Sequence, residues 1–465
     1  MRGADPNKCR RLLFHIGTPH PTSLPVLLNI RPIVCLKGYH VLQILLLPFA
    51  ICGPRIPVQS TLTMASNLHR DPPFRAEHLG SLLRPDNLLQ TRADLDNGKT
   101  QQEQLTNIED TSVKDVVDTQ VKLGFHPISD GEYRRHMFWG TFFPGLEGFK
   151  EIKNPDVDIF RMYMPDIAAF TESGHKPGES VICTGKIKHV GSTYVDQWDY
   201  LKSIVPKERV HECKITLAAP EWYHMRYKEG RAYPKDVYPS DKEYFADIAK
   251  AYQTELQILY DNGLRNVQID DPNLAYFCSE KMLEGWKKDP LNTKTTDQTL
   301  DEYIDFYNDC ISKRPADMHV GVHICRGNFV NSRHFSEGGY DRVAKKLFQD
   351  MHVNTYYLEY DTPRAGGFEP LKSLPKNKNV ILGVITSKFP EMEDMEEMKK
   401  RVYEAADFVA EGNNQTRQEA LQRLGVSPQC GFASHSAGNS VKKHDMVNKL
   451  TLVRELADSI WPGEP

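Results

Sequence analysis

The chain has 465 residues, of which 40% are hydrophobic, enough for a packed core, and its formal net charge at pH 7 is only -4. No basic stripe with interleaved aromatics occurs, and no stretch approaches the roughly 20 apolar residues of a membrane span, so we expect neither nucleic-acid binding nor membrane insertion. The nine cysteines are scattered without the close spacing of a disulfide framework, which indicates reduced thiols in a cytoplasmic protein.

Residues 1–63 differ in composition from the rest of the chain. Asp5 is their only acidic residue, against seven Lys and Arg, and eight prolines interrupt the apolar runs. An acid-poor, basic leader is typical of an organelle transit peptide. The alternative, which we favour, is an upstream stretch outside the true protein, because Met64 is a plausible start. In either case we expect residues 1–63 to be disordered and residues 64–465 to form a single domain.

From residue 74 onward, short β-rich runs alternate with segments of helical periodicity. The eight predicted strands are Phe74–Ser81, Pro127–Glu132, Lys214–Pro220, Asn266–Pro272, His319–Cys325, Thr355–Tyr360, Val380–Ile385 and Val426–Phe432. The predicted helices include Glu243–Asn262, Asp301–Lys313, Gly339–Asp350, Glu393–Glu411 and Lys442–Ile460. Eight strands separated by helices predict an α/β fold, the closed (β/α)8 or TIM barrel.

The interval from Trp139 to His211 is too long for one crossover helix. It contains alternating polar and apolar residues, as in Ser180–Ile187, which is typical of strands. We therefore expect an insertion after the second strand that contains a β-hairpin and covers the mouth of the barrel.

The fifth predicted strand ends with His323 and Cys325. Residues i and i+2 of a strand point to the same face, so the imidazole and the thiol converge there. Taken alone, the pair could equally be a core histidine and a buried thiol. A second such pair, His211 and Cys213, stands at the beginning of a predicted strand, whereas α/β barrels carry their chemistry at the carboxyl ends.

Two further candidate ligands fall at carboxyl ends of predicted strands, Glu359 on the sixth and Cys430 on the eighth. Two thiolates, one imidazole and one carboxylate form a tetrahedral zinc set, in which the carboxylate is the most easily displaced ligand. A substrate thiol that replaces it becomes a thiolate, the nucleophilic form. The sequence thus predicts a zinc site of His323, Cys325, Glu359 and Cys430 that activates a thiol.

Five segments resemble the single-barrel, short-form relatives of cobalamin-independent methionine synthase. They are His323–Phe329, Gly338–Tyr340, Leu358–Asp361, Leu382–Lys388 and Ser427–Ala433. The resemblance covers about residues 74 to 461 and implies a (β/α)8 barrel whose zinc activates the thiol of homocysteine for attack on a methyl donor. It assigns the zinc to the same four residues that the strand ends indicate.

The resemblance also implies a substrate site. Asp270 would receive the amino group of homocysteine, with Glu132 as the second carboxylate, and Ser81 would hold the substrate carboxylate. From the residues alone, Asp270 could instead cap the following helix, and Glu132 could pair with Arg134 or Arg135 at the surface.

Two residues bear on the methyl donor. Trp222 could offer an aromatic face to a flat pterin. Lys388 stands where full-length methionine synthases place a proton-relay histidine after the seventh strand. A lysine is usually a fixed cation near neutral pH unless burial lowers its pKa, so this replacement leaves the use of folate open.

The resulting prediction is a zinc-dependent S-methyltransferase that forms methionine from homocysteine, with 5-methyltetrahydrofolate or a related molecule as donor. One rival is a zinc thiol alkyltransferase resembling epoxyalkane:coenzyme M transferase, for which the acidic pair would be dispensable. A decarboxylase resembling uroporphyrinogen decarboxylase shares the barrel but needs no metal. The remaining rival is a non-catalytic zinc-binding barrel.

Overall fold

The structure is a computed structural model that describes residues 69, 71–153, 155–172, 180–436 and 438–465. The disorder expected for residues 1–63 therefore lies outside the described residues. Among the described helices, none combines the length and the hydropathy needed to cross a membrane.

The described chain alternates between strands and helices. The strands are β1 (Leu146–Ile152), β2 (Ser180–His189), β3 (Lys214–Ala218), β4 (Asn266–Asp270), β5 (His319–Ile324), β6 (Thr355–Glu359), β7 (Asn379–Ile385) and β8 (Leu424–Pro428). The helices are α1 (Asp86–Asp96), α2 (Gln102–Lys122), α3 (Pro165–Glu172), α4 (Val195–Ile204), α5 (Trp222–Arg226), α6 (Asp241–Asp261), α7 (Asn273–Tyr276), α8 (Glu280–Lys288), α9 (Thr296–Ile311), α10 (Ala344–Asp350), α11 (Met395–Asn413), α12 (Arg417–Leu421) and α13 (Lys443–Ile460).

Strands β3 to β8 form one parallel sheet in the order in which they occur in the chain. Every residue of β3, β4, β6 and β8 is buried, as expected for a parallel sheet that is covered on both faces. The prediction of an α/β fold with a parallel sheet is therefore confirmed, and six of the predicted strands correspond to β3 through β8. All six strands run in the same direction, so their carboxyl ends lie together along one side of the sheet, which we call the carboxyl edge.

The first two predicted strands, Phe74–Ser81 and Pro127–Glu132, are each reduced to a single parallel bridge. Ala76 bridges to β8, and Ile128 bridges to the residue before β3, so the two segments extend the sheet at its opposite edges. The prediction of two continuous strands at these positions was therefore wrong. The closed eight-stranded barrel stays a prediction.

Close backbone packing explains why these two segments are short. Gly80 (φ +94°) and Gly131 (φ +67°) have left-handed backbone conformations, which end the extended runs. Beside them, the Leu82 N–H donates to the Gly131 carbonyl at 3.1 Å, so the two segments contact each other. A Cβ at Gly425 in β8 would lie only 2.8 Å from the Phe74 carbonyl oxygen, which shows how tightly the first segment packs on the sheet.

The predicted helices are present as α6, α9, α10, α11 and α13, with shifted ends. The starts of two helices differ by five residues: α9 begins at Thr296 instead of Asp301, and α10 begins at Ala344 instead of Gly339. The first turn of α9 is capped by Thr295, whose hydroxyl accepts from the Gln298 N–H at 3.2 Å while the Gln298 side chain accepts from the Thr295 N–H at 2.9 Å. This turn is mostly polar, so apolar periodicity alone places the start too late.

The insertion contains an antiparallel pair, β1 and β2, in which a bulge lies near Gly148. The two strands are separated by α3, so they do not form a tight hairpin. His189 of β2 contacts Glu255 of α6 at 2.6 Å, and both side chains are buried. This contact fixes β2 against α6. Phe170 of α3 packs on Phe329 with ring centroids 4.8 Å apart, so the insertion reaches the loop after β5.

Candidate active site

A cluster of one imidazole and two thiols lies at the carboxyl edge of the sheet. His323 belongs to β5, Cys325 directly follows it, and Cys430 comes just after β8. One ligand atom of each residue lies within 4.8 Å of those of the other two, and all three side chains are buried. The structure therefore brings together three of the four predicted zinc ligands.

The geometry of this cluster fits a tetrahedral metal ion. The sulfurs of Cys325 and Cys430 are 3.7 Å apart, and two sulfurs bonded at about 2.3 Å to a tetrahedral zinc would be about 3.8 Å apart. Nδ1 of His323 contacts the Tyr357 carbonyl oxygen at 3.2 Å, and its buried Nε2 has no hydrogen-bond partner. An imidazole that is fixed through one nitrogen and free at the other is typical of a metal ligand.

The two thiols of the cluster shift each other's pKa in opposite directions. The contact between the sulfurs lowers the pKa of Cys430 well below its usual range and raises the pKa of Cys325. The His323 imidazole lowers the pKa of Cys430 further, against the effect of burial. A buried site in which one thiolate already forms easily is suited to a soft cation, whose charge would ionise the second thiol as well.

Glu359, the fourth predicted ligand, ends β6 but is not one of the clustered groups. One carboxylate oxygen accepts from the Arg326 N–H at 2.9 Å and the other from Arg364 Nε at 2.8 Å. Burial raises the pKa of Glu359, but the charges of Arg364 and Lys388 outweigh it, and the pKa lies below its ordinary value. The side chain is therefore a carboxylate held by an arginine, and its role as a displaceable metal ligand stays a prediction.

Lys388 lies after β7 and is 1% exposed. Its ammonium donates to the Gly327 carbonyl oxygen at 2.5 Å. Burial lowers the pKa of Lys388, while the negative charges of Glu359 and Cys430 oppose this shift. A lysine with a lowered pKa beside the cluster can exchange a proton more readily than an exposed lysine. The catalytic role of Lys388 as a proton relay stays a prediction.

Two buried carboxyl groups, those of Asp270 and Glu132, form the second part of the site. Asp270 ends β4 and is the register partner of His323 in β5, so the two backbones run about 4.8 Å apart there. Glu132 accepts from the Thr216 hydroxyl at 2.6 Å, and its other oxygen, Oε2, is buried without a partner.

Both carboxyl groups are more difficult to ionise than exposed ones. Burial, together with the charge of Asp270, raises the pKa of Glu132 to about 8. Burial also raises the pKa of Asp270 to about 6, although the His323 imidazole opposes it. A cation between two such groups would stabilise both carboxylates, so the pair is suited to an ammonium group.

Neither Asp270 nor Glu132 has the structural role that it could have had from the sequence alone. Asp271, not Asp270, caps α7 by accepting from two of its backbone N–H groups at 2.8 and 3.2 Å. Arg134 pairs with carboxylates of α2, whereas Arg135 is buried with Nη1 3.9 Å from Glu132. Glu132 therefore has a partly compensated charge in the interior and is not a surface ion-pair residue.

Ser81 lies against the loop that carries the second thiol. Its side chain is buried, and its carbonyl accepts from the Phe432 N–H at 2.9 Å. The Ser81 hydroxyl packs so closely on Gly431 that a side chain at Gly431 has no space. The predicted contact of Ser81 with a substrate carboxylate stays a prediction, but its place beside Cys430 is compatible with it.

Trp222 begins α5 and is itself covered by other groups. Trp139 stacks on its ring with centroids 4.8 Å apart, and the guanidinium carbon of Arg226 lies 3.3 Å from the ring centroid. Trp139 is only half buried. The aromatic surface that a flat ligand could reach therefore belongs to Trp139, with Trp222 behind it.

Similarity to known proteins identifies the family. Residues 232–457 match the family described as cobalamin-independent synthase, catalytic domain. The uncharacterised protein YxjG of Bacillus subtilis is 33% identical over 406 residues, which cover 87% of this chain and 99% of YxjG.

The chain belongs to the cobalamin-independent methionine synthase family.

Two further members show how far this similarity extends. A methionine synthase of Sulfolobus acidocaldarius is 23% identical over 383 residues, which cover 81% of this chain and 91% of that protein. The solved structure of a candidate vitamin-B12-independent methionine synthase from Listeria monocytogenes has 27% identity and a TM-score of 0.61, and the match covers 84% of this chain and 99% of that chain. The family resemblance drawn from sequence motifs is confirmed.

The sequence motifs did not reveal the groups that hold the charged side chains of this synthase-family site in place. Gln268 donates to Asp270 at 2.6 Å, and Thr216 donates to Glu132. Gln268 and Asp270 are separated by one residue in β4, so the same i and i+2 rule that paired His323 with the following thiol could have found this contact. Arg364 lacks such a signal, because it reaches Glu359 from a loop.

We expect the purified synthase-family protein to contain one zinc ion per chain. The Cys430→Ser variant should lose most of this zinc, because only one thiolate would remain in the cluster. Even changes to the outer contacts of a zinc site lower the affinity for the metal about 10- to 100-fold. The matched control is Cys278→Ser, which changes a buried thiol outside the cluster. Elemental analysis after dialysis checks this, and equal zinc contents in the two variants would contradict it.

Proposed function

We propose that the protein is a zinc-dependent S-methyltransferase that transfers a methyl group to the thiol of homocysteine and forms methionine. The observation that carries this proposal is the position of Asp270 beside His323 on neighbouring strands. This position brings a buried carboxyl group next to the cluster of one imidazole and two thiols. Homocysteine has an ammonium group and a thiol, and these two groups need an anionic acceptor and a soft metal, respectively.

Each site residue then has a role. His323, Cys325 and Cys430 would hold zinc, and Glu359 would be the fourth and most easily displaced ligand. Glu132 and Asp270 bind the substrate ammonium. The unpartnered Oε2 of Glu132 supports this assignment, because a buried carboxylate oxygen without a hydrogen-bond donor is costly unless a ligand supplies one. The hydroxyl of Ser81 contacts the substrate carboxylate.

The reaction is a displacement at the methyl carbon. Zinc held by these residues would supply the positive charge that keeps the substrate thiol in its thiolate form at neutral pH. The S–CH3 bond forms as the bond from the donor nitrogen to the methyl group breaks, and the donor nitrogen takes up a proton in place of the methyl group. Lys388, buried beside Glu359 and Cys430, would give its proton to the donor nitrogen and be recharged by the proton that the substrate thiol releases. Positioning of the two reactants provides much of the rate acceleration.

The methyl donor in this proposal is 5-methyltetrahydrofolate or a related reduced pterin. The stacked rings of Trp139 and Trp222 support a flat donor, with Trp222 acting from behind Trp139. The closed barrel is part of the same proposal. It is supported by the bridges of Ala76 to β8 and of Ile128 to the β3 edge, and by the hydrogen bond from Leu82 to Gly131 between those two segments.

The direct test is methionine formation by the zinc-loaded protein from homocysteine and each candidate donor. We expect turnover with a reduced methylpterin, and we expect Glu132→Gln to raise the KM for homocysteine by about 10- to 100-fold, since a hydrogen bond to a charged group contributes about 1.5–3 kcal/mol. Glu109→Gln, which changes a buried carboxylate paired with Arg92 on the other side of the segment, is the matched control.

The same experiment separates the rival alkyltransferase. That reaction uses a thiol without an ammonium group, so Glu132→Gln and Asp270→Asn would leave turnover intact. Absence of methionine with every donor would contradict the synthase reading.

We further expect methionine binding to release a proton that comes from Glu132. With its pKa raised to about 8, Glu132 is mostly protonated at pH 7, and an ammonium favours the carboxylate. Affinity should therefore rise from pH 6 to pH 8 and then level off as the free carboxyl ionises. Methionine is the suitable ligand, because its thioether has no proton to lose.

Calorimetry in buffers of different ionisation enthalpy measures this release. At pH 7 the protein should release close to one proton per methionine, and Glu132→Gln should release almost none. The same release from both proteins would show that the proton has another source.

A further inference from the structure

Arg135 and Glu132 form an incomplete ion pair in the interior of the site. Their side chains are 1% and 0% exposed, yet Arg135 Nη1 lies 3.9 Å from Glu132 Oε1. A buried guanidinium that faces a carboxylate commonly forms two parallel hydrogen bonds with it, at about 2.7–2.9 Å. Neither bond forms between these two described residues, so each of them has hydrogen-bonding capacity that the other does not use.

Thr216 of β3 explains the separation of the pair. Its hydroxyl donates to Glu132 Oε1 at 2.6 Å and accepts from Arg135 Nη1 at 2.9 Å, so it stands between the two charged groups. Arg135 Nη1 also donates to the Phe138 carbonyl oxygen at 3.2 Å. The two inner atoms of the pair, Nη1 and Oε1, are therefore held in place without any ligand.

The two outer atoms of the pair have no such contacts. Arg135 Nη2 and Glu132 Oε2 are both buried, and no donor or acceptor in the described part of the chain reaches either of them. A buried polar atom without a hydrogen bond is costly, more so on a charged group, so two of them in one pair require an explanation. A ligand that brings one acceptor and one donor would satisfy both.

The insertion fixes the direction of the Arg135 guanidinium. Its central carbon lies 5.1 Å from the centroid of the Tyr194 ring, at the start of α4, which is close enough for a cation–π contact. Gln197 of α4 accepts from Arg135 Nε at 3.5 Å. The unpartnered Nη2 is thus part of a guanidinium that β3 holds on one side and α4 on the other.

The charges around the pair select the class of ligand. The charge of Asp270 acts on both Glu132 and Arg135, so one guanidinium stands among two carboxyl groups. A simple anion would be attracted by Arg135 but repelled by the carboxylates, and a simple amine would leave Arg135 Nη2 without a partner. A molecule with an ammonium and a carboxylate on the same carbon matches both kinds of group.

We propose that Arg135 binds the α-carboxylate of the substrate amino acid while Glu132 and Asp270 bind its ammonium group. This assignment rests on the proposed function and adds a charged contact to the uncharged one of the Ser81 hydroxyl. It makes Arg135 a residue that determines acceptor specificity, because thiols without an α-carboxylate lose this contact.

The test is calorimetric binding of two ligands to the zinc-loaded full chain. They are methionine and 3-(methylthio)propylamine, which is methionine without its carboxylate. The Arg135→Lys variant keeps a positive charge beside Glu132 but loses Nη2. It should raise the Kd for methionine about 10- to 100-fold, because a hydrogen bond between charged groups is lost, and leave the Kd for the propylamine within twofold.

The matched control is Arg75→Lys, which changes another buried arginine, one paired with Glu464 near the end of the chain. It should leave both Kd values unchanged. An Arg135 that merely holds Glu132 in place would affect the two ligands equally, because both carry the ammonium group.

A second measurement needs no variant. The starting protein should bind the propylamine at least about tenfold more weakly than methionine, since the propylamine leaves Arg135 Nη2 unpartnered. Displacement of the propylamine by methionine shows that the two ligands share one site. Equal affinity for the two ligands would overturn the proposal.

The outcomes also distinguish this proposal from the proposed function. Methionine binding that is weakened selectively in Arg135→Lys, without methionine formed from any donor, would support the carboxylate contact and contradict the synthase. Methionine formation, with Arg135→Lys affecting both ligands equally or neither, would overturn the carboxylate contact alone. Failure of methionine to bind the starting protein would also overturn it.

Discussion

The structure depends on the convergence of one imidazole and two sulfurs in a site closed to water. His323 belongs to β5, Cys325 directly follows that strand, and Cys430 follows β8, 105 residues after Cys325. Thiolates that lie 3.7 Å apart repel each other, and burial makes that repulsion costly, so the arrangement is stable with both sulfurs ionised only if a cation lies between them. The parallel register of the sheet and the loop after β8 place the three side chains, and in the proposed function a zinc ion would provide the charge.

The surroundings of the cluster follow from the same electrostatic constraint. Glu359 is held by Arg364, and the charge of the buried Lys388 also acts on it, so this carboxylate beside the cluster is compensated by two cations. Glu132 and Asp270 have less compensation, and their pKa values are raised accordingly. This difference divides the site into a part whose charges are compensated without substrate and a part that, in the proposed function, a substrate ammonium would complete. The thiol and the amino group of one small molecule can therefore be recognised by two chemically distinct pockets.

Much of this arrangement could be predicted from the sequence, because it depends on strand periodicity and on strand ends. The i and i+2 rule placed His323 with Cys325, and the strand-end rule set aside the pair of His211 and Cys213, which indeed precedes β3. The short first two strands could not be predicted, since positive φ at Gly80 depends on packing against neighbouring segments. The Arg364 contact with Glu359 and the covering of Trp222 depend on side-chain directions in short helical turns that follow the strands, which no periodic pattern encodes.

The most direct measurement is X-ray absorption at the zinc edge, recorded with and without homocysteine. Our account predicts two sulfur ligands and two nitrogen or oxygen ligands in the free protein, and three sulfurs when homocysteine replaces the carboxylate of Glu359. A ligand shell that stays unchanged on addition of homocysteine, or one that lacks two protein sulfurs from the outset, would contradict the central claim that this cluster is a zinc site that activates the substrate thiol.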